Sequence, residues 1–103
     1  MQSNTNNINI AYLHFKITNT EQCATFDVPT NLCIANFIEY VKYKASEEFG
    51  FNINTNIEIV EAGQGIPGLA SEDAPAIEPN TNITLREKYN DVYDKSFYIR
   101  FLQ

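Results

Sequence analysis

Tryptophan is absent from this chain, cysteine occurs twice and histidine once. Two cysteines are too few for the disulfide framework of a small secreted domain or for the four thiolates of an iron–sulfur cluster. We interpret Cys23 and Cys33 as small, half-buried hydrophobic residues, although a single disulfide between them stays open. The loop carboxylates Glu72, Asp73 and Glu78 lack the spacing of a calcium loop and are typical of a solvated surface. We therefore expect no cofactor and no metal site.

Basic residues are also scarce: 7 Lys and Arg stand against 13 Asp and Glu, for a net charge of −6. An acidic chain repels phosphate backbones, so we do not expect general binding to nucleic acid. No apolar run is long enough to span a membrane, and the polar segment 1–7 has no signal-peptide pattern. We expect an intracellular, cytoplasmic protein. Its excess of Asn and Ile would result from an AT-rich genome, such as those of many protists and some large viruses, and a viral protein would act in the host cytoplasm.

The 103 residues are enough for one domain with its own core, and we place it at 8–103 after a flexible tail at 1–7. Segment 31–49 is the one stretch with sustained helical periodicity. Thr30 or Asn31 is the expected N-cap, and Gly50 is the expected left-handed C-terminal residue. The apolar stripe of this helix consists of Ile34, Phe37, Ile38, Val41, Ala45 and Phe49.

The remaining apolar patterns alternate with a period of two and predict β-strands. Residues 62–82 hold three of the four prolines and three of the four glycines, which predicts a long irregular loop. The expected strands are 8–17, 23–28, 56–61 and 96–102, with a short edge strand at 76–78 and a helical turn within 83–90. In the third strand, Ile57 and Ile59 are expected to point inward, and Glu58 and Val60 outward. In the last strand, Phe97, Ile99 and Phe101 are expected to point inward.

This order of elements predicts an α+β fold in which a mixed four- to five-stranded sheet packs on one main helix. The first and last strands must lie parallel and adjacent for both to bury an apolar face under that helix. This is a β-grasp arrangement, and three stretches resemble ubiquitin. They are Asp27-Val28-Pro29-Thr30 at the helix entry, Glu58-Ile59-Val60-Glu61-Ala62-Gly63-Gln64 in the third strand, and Thr84-Leu85-Arg86-Glu87-Lys88-Tyr89 followed by Ser96-Phe97-Tyr98-Ile99-Arg100.

The resemblance also implies differences in function. Conjugated relatives of ubiquitin end in paired glycines, whereas this sequence ends in Phe101-Leu102-Gln103, so we expect that it is not conjugated through that end. The apolar receptor-binding patch of ubiquitin corresponds here to Asn19 or Thr20, Val60 and Arg100. Only Val60 is apolar, so standard ubiquitin receptors are expected to bind poorly.

The sheet face away from the helix is the candidate partner-binding surface, because Tyr and Arg are frequent hot spots of protein interfaces. The alternative is a merely solvated face on which Arg100 pairs with Glu58. The candidate residues are Tyr12, His14, Lys16, Val60, Tyr98 and Arg100.

We interpret the chain as a non-catalytic module that binds a protein of unknown identity, as a monomer or weak homo-oligomer. His14 is the only histidine, and Cys23, the one thiol that could approach it, is typical of a structural residue at a strand end, so no catalytic residue is assigned. Two alternatives stay open. The chain could self-associate through a strand edge near Val28 or Ile77, or its aromatic and basic groups could bind single-stranded RNA.

Overall fold

The computed structural model describes residues 9–62, 73–90, 92–93 and 95–102. The predicted tail at 1–7, the predicted strand start at Ile8 and the part of the predicted loop at 63–72 lie outside the described residues. The elements in chain order are β1 (Ile10–Ile17), β2 (Cys23–Pro29), α1 (Ile34–Phe49), β3 (Ile57–Glu61), α2 (Leu85–Lys88) and β4 (Ser96–Phe101).

The four strands form one mixed sheet in the order β2-β1-β4-β3. β1 pairs antiparallel with β2 and parallel with β4, and β3 pairs antiparallel with β4. The prediction that the first and last strands run side by side is therefore confirmed. So is the α+β class, with one main helix against a mixed sheet.

A row of aromatic rings crosses the inner face of the sheet beneath α1. Phe15 of β1 stacks on Phe26 of β2 at 5.2 Å and on Phe97 of β4 at 5.4 Å between ring centroids. Phe37 of α1 packs on Phe97 at 5.5 Å. All four rings are buried, so this row joins three strands and the helix into one core.

α1 buries the predicted stripe against this core. Ile34, Phe37, Val41 and Ala45 are fully buried, while Ile38 and Phe49 are half-buried and pack at the margin. The helix ends as expected at Gly50, whose φ of 80° is left-handed and whose N–H donates to the Ser46 carbonyl at 2.9 Å.

The predicted N-terminal cap of α1 is wrong. The helix begins at Ile34, and its N-cap residue Cys33 makes no side-chain capping bond. The first helical N–H groups donate instead to backbone carbonyls of the 80–83 segment, from Ile34 to Ile83 at 3.1 Å and from Ala35 to Asn80 at 3.0 Å. Because a distant segment supplies these acceptors, no side chain is needed at the helix entry.

Thr30, one of the two expected caps, is fully buried between β2 and α1. Its backbone N–H donates to Asn9 and its carbonyl accepts from Arg86. No hydrogen-bond partner for its Oγ1 exists among the described residues. A buried hydroxyl without a partner lowers stability, since it has lost its bonds to water.

The helical turn predicted within 83–90 is present as α2 and has a complete capping box. The Glu87 N–H donates to Thr84 Oγ1 at 3.1 Å, and the Thr84 N–H donates to Glu87 Oε1 at 2.8 Å. Tyr89 follows directly and is buried. This burial, together with the nearby Glu61 carboxylate, raises the pKa of the Tyr89 hydroxyl well above its ordinary value, so the group stays protonated near neutral pH.

Two finer predictions about the sheet need correction. The expected strand at 76–78 is reduced to one bridge between Ala76 and Val60, with the Ile77 N–H bonded to the Ile59 carbonyl at 2.8 Å. Phe101 is 37% exposed rather than buried, because it pairs with Ile57 at the end of the sheet. Its ring packs edge-on only against Phe51, at 5.1 Å between centroids, among the aromatic contacts of the described residues.

The two threonines near helix starts should respond oppositely to the same substitution. Thr30→Val removes a buried hydroxyl without a partner at nearly constant volume, so the free energy of unfolding should rise by about 1 kcal/mol. Thr84→Val removes a side-chain cap and should lower it by about 1 kcal/mol. Urea unfolding of both variants measures the difference. Similar losses in the two variants would show that the buried Thr30 hydroxyl does make a stabilising hydrogen bond.

Candidate functional site

The sheet face opposite α1 carries the predicted partner-binding residues in two cross-strand rows. In the first row, His14 of β1 lies between Thr25 of β2 and Ser96 of β4. In the second, Lys16 lies between Cys23 and Tyr98. These residues alternate with buried ones along each strand, so the core fixes which side chains reach this outer face.

The two rows enclose an open cavity of about 310 Å³. Its floor includes the backbone at Phe15 and Phe97, whose rings point into the core. The walls combine aromatic, hydroxyl, thiol and basic groups. The outward residues that line it are His14, Lys16, Cys23, Thr25, Ala62, Ser96 and Tyr98.

Two contacts order the walls of this cavity. His14 Nδ1 and Thr25 Oγ1 are 2.9 Å apart and share a hydrogen bond. The Lys16 ammonium lies 5.8 Å from the centroid of the Tyr98 ring, within the range of a cation–π contact. Tyr12 lies one row further along β1 beside Asp27 and is 65% exposed, so it borders the cavity without lining it.

Arg100 is held by its own chain. Its Nε and Nη2 donate to Glu58 Oε1 at 2.9 and 2.7 Å, and its Nη1 donates to the Ala74 carbonyl at 2.9 Å. The pairing of Arg100 with Glu58, which the sequence left as the alternative, is therefore present. Arg100 ties the 73–77 segment to the sheet, and its contact with a partner stays a prediction.

The expectation that Val60 is an exposed apolar member of this face is wrong. Its side chain points outward, but it is fully buried. The 73–77 segment lies next to it, since Ala76 bridges to Val60 while Ala74 is bonded to Arg100 on the outer face. Val60 is therefore inaccessible in this structure, and its contact with a partner stays a prediction.

Cys23 and Cys33 are both free thiols, which settles the pairing that the sequence left open. Cys23 lies opposite Lys16 rather than His14, and the Nδ1 of His14 is bonded to Thr25. Among the described residues, no group of three or more His, Cys, Asp or Glu side chains could hold a metal ion. None of the described helices has the length and apolar character needed to cross a membrane.

Sequence reasoning missed Thr25, Cys23 and Ser96 as members of the site. A signal for the first two exists, because both occupy outward positions of a strand that pairs with β1. The register needed to place them beside His14 and Lys16 is set at the 18–21 turn, where the Ile17 N–H donates to the Gln22 carbonyl and Asn19 adopts a φ of 63°.

Comparisons with known proteins agree on architecture alone. No family model matches this chain, and no curated protein matches it significantly. The chain is similar to the solution structure of the C-terminal ubiquitin-like domain of mouse tubulin-specific chaperone e, with a TM-score of 0.60 and 14% identity over 92% of this chain and 89% of that one. This chain has the ubiquitin-like β-grasp fold. At 14% identity the likeness concerns the fold and does not specify a subfamily.

Within this ubiquitin-like domain, the link between Arg100 and the 73–77 segment should be measurable. Arg100→Gln removes the charge-assisted bonds and should lower the free energy of unfolding by about 1 kcal/mol, since the pair is partly exposed. Amide hydrogen exchange at Ile77 should accelerate. Arg100→Lys, which keeps the charge without the planar fork, should give an intermediate result. Unchanged exchange at Ile77 in Arg100→Gln would contradict this role.

Proposed function

We propose that this ubiquitin-like domain is a non-catalytic protein–protein interaction module that contacts its partner through the outer sheet face. The observation that carries the proposal is the open cavity of about 310 Å³ between β2, β1 and β4, on the face that α1 leaves uncovered. Tyr12 and Tyr98 at its border and wall are residues of the type that contributes most at interfaces.

The rigidity of the scaffold supports this role. Most outward residues of the cavity neighbour a buried core residue of the same strand, as His14 and Lys16 flank Phe15. The cavity walls are therefore held in place before a partner arrives, which lowers the entropy cost of binding.

Two other functions fit the site less well. An RNA platform would need a basic surface, whereas the chain has a net charge of −6 and Arg100, the one arginine on this face, is paired with Glu58. A hydrolytic site would need a nucleophile, a base and a third group that orients the base. The Thr25 hydroxyl does lie beside the Nδ1 of His14, but the pair is on an exposed surface, and no hydrogen bond orients the other ring nitrogen among the described residues.

Self-association through β2 is the second candidate, because β2 is an edge strand. The Ile17 N–H donates to the Gln22 carbonyl, and the Thr30 N–H donates to the Asn9 carbonyl, so the even-numbered residues of β2 bond to β1. The backbone N–H and C=O groups of Cys23, Thr25 and Asp27 therefore point away from β1, toward the open edge of the sheet. However, the Asp27 carbonyl already accepts from the Tyr40 hydroxyl at 2.9 Å. Pro29 has no N–H to donate, so the open edge is short.

We therefore expect a monomer in solution. Multi-angle light scattering should give the mass of a single chain, 11.7 kDa, across a wide range of protein concentration. A mass that rises with concentration, and that Thr25→Pro restores to the monomer value, would instead favour assembly through the β2 edge.

Substitution of one cavity tyrosine tests the proposed face. Tyr98→Ala removes a wall of the cavity, and recovery of bound partners from an extract of the native source should fall at least about tenfold, as for an interface hot spot. Tyr43→Ala is the matched control, because Tyr43 is 55% exposed on α1, on the other side of the domain.

Circular dichroism must first show that both variants are folded. Equal recovery of every partner with Tyr98→Ala and with the wild type would reject the outer face as the binding site. A loss with Tyr43→Ala alone would place the site on α1.

A further inference from the structure

We propose that the open edge of β2 binds an extended basic segment of another protein, which adds to the sheet as an antiparallel strand. The binding groups are the backbone of β2 and the groove between β2 and α1. They differ from the side chains of the outer face, so this inference goes beyond the function proposed above.

The backbone of β2 presents a row of hydrogen-bonding groups at this edge. The N–H and C=O groups of Cys23 and Thr25, and the N–H of Asp27, point away from β1 and have no hydrogen-bond partner among the described residues. Successive members of the row are two residues apart, which is the repeat of an antiparallel ladder. An extended segment can therefore exchange backbone hydrogen bonds with each of them.

The row has a defined end. The Tyr40 hydroxyl already donates to the Asp27 carbonyl at 2.9 Å, and Pro29 has no N–H to donate. The usable edge is therefore confined to 23–27. An edge of this length suits a short added strand rather than an extensive sheet-to-sheet interface.

The groove beside the edge supplies the charge. It has a volume of about 250 Å³ and lies between β2 and the C-terminal part of α1. Lys44 lies 3.9 Å from Asp27 and offsets that carboxylate. Glu47 and Glu48 are exposed and make no ion pair among the described residues. Their two carboxylates favour Lys or Arg side chains in a bound segment.

The end of α1 favours a cation for a second reason. The C-terminus of a helix is the negative end of its dipole, where basic side chains are stabilising and acidic ones are not. The last turn of α1 includes Glu47 and Glu48 and has no basic residue. A Lys or Arg from a bound segment would supply the positive charge that this turn lacks.

The alternation of side chains in the added strand determines where its basic residues stand. Residues directly opposite Cys23 and Thr25 place their side chains on the outer face, as those two residues do. The residues between them face the α1 side, where Glu47 and Glu48 line the groove. The matching segment therefore alternates basic residues with strand-forming ones, as in Lys-Val-Lys.

A second copy of this chain fits the edge less well than a basic segment. Pairing of two β2 strands would bring together the carboxylates of Asp27, Glu47 and Glu48 from two chains that each have a net charge of −6. A basic segment meets complementary charge at the same place. The occupant is therefore a segment of a different protein.

Titration of the isotopically labelled domain with a defined peptide tests this. The probe is acetyl-Gly-Thr-Lys-Val-Lys-Thr-Gly-amide, and the peptide with Gln for both Lys is its uncharged match. The Lys peptide should shift the amide resonances of Cys23, Thr25 and Asp27 and slow their hydrogen exchange. The Gln peptide should bind at least about fivefold more weakly. Raising the salt from about 0.05 M to about 0.5 M should weaken binding of the Lys peptide, because the contact is exposed.

Backbone methylation of the peptide separates strand addition from general charge attraction. With both Lys facing the groove, the Val lies opposite Thr25, and its N–H donates to the Thr25 carbonyl. The N–H of each Lys points away from β2. N-methylation of the Val should therefore weaken binding at least about tenfold. N-methylation of the second Lys is the matched control and should retain most of the binding.

Variants of α1 assign the charge to the groove. The double variant Glu47→Gln, Glu48→Gln should weaken binding of the Lys peptide at least about fivefold. Glu39→Gln is the matched control, since Glu39 is exposed on α1 and does not line the groove, and it should bind like the wild type. Circular dichroism must first show that both variants are folded.

Any one of four outcomes would overturn the inference: equal binding of the Lys and Gln peptides, full binding of the Val-methylated peptide, an unaffected double variant, or exchange at Thr25 that slows with protein concentration alone. The last outcome would show that a second copy occupies the edge. None of them depends on Tyr98, so the loss of partners expected for Tyr98→Ala is tested separately and the proposed function can stand without this site.

Discussion

The structure depends on the parallel pairing of β1 with β4. The rings of Phe15 and Phe97, which stack on the core side of the sheet, hold the register of this pair. The two residues are register partners, and their rings stack at 5.4 Å. A shift of one residue would turn Phe97 to the outer face and bring Tyr98 and Arg100 under α1, at the cost of the aromatic core. Since β1 and β4 are far apart in sequence, this pairing also forces the intervening helix across the sheet.

The same register determines the outer face. Phe15 and Phe97 can stack only if Lys16 and Tyr98 are neighbours one residue further along, and if His14 lies beside Ser96 one residue earlier. The cavity is therefore a consequence of the core rather than a separate feature of the surface. Substitutions of buried rings should disturb the cavity walls, whereas substitutions of the walls leave the rings in place.

Periodicity was enough to predict the helix and the four strands, because each depends on the apolar pattern within one segment. The parallel pair was predictable because the first and last strands both have to bury an apolar face under the same helix. Features that depend on distant contacts were not predictable in the same way. The start of α1 depends on carbonyls of Asn80 and Ile83, and the surroundings of Val60 include Ala76 of the distant 73–77 segment. The alternation of apolar and polar residues in β3 correctly predicted that Val60 points outward, but it contains no information about which other segments pack against that side chain.

The outer face is divided into two parts that differ in availability. On the β3 side, Val60 is buried beside Ala76, and Arg100 is paired with Glu58 and bonded to the Ala74 carbonyl. On the β2 side, the cavity beside His14 and Lys16 is open. The more exposed side chains of the outer face therefore lie on β1 and β2, whereas Glu58, Tyr98 and Arg100 on β3 and β4 are half-buried. The shared fold thus fixes the sheet, while the side chains of this sequence determine which part of its outer face is exposed.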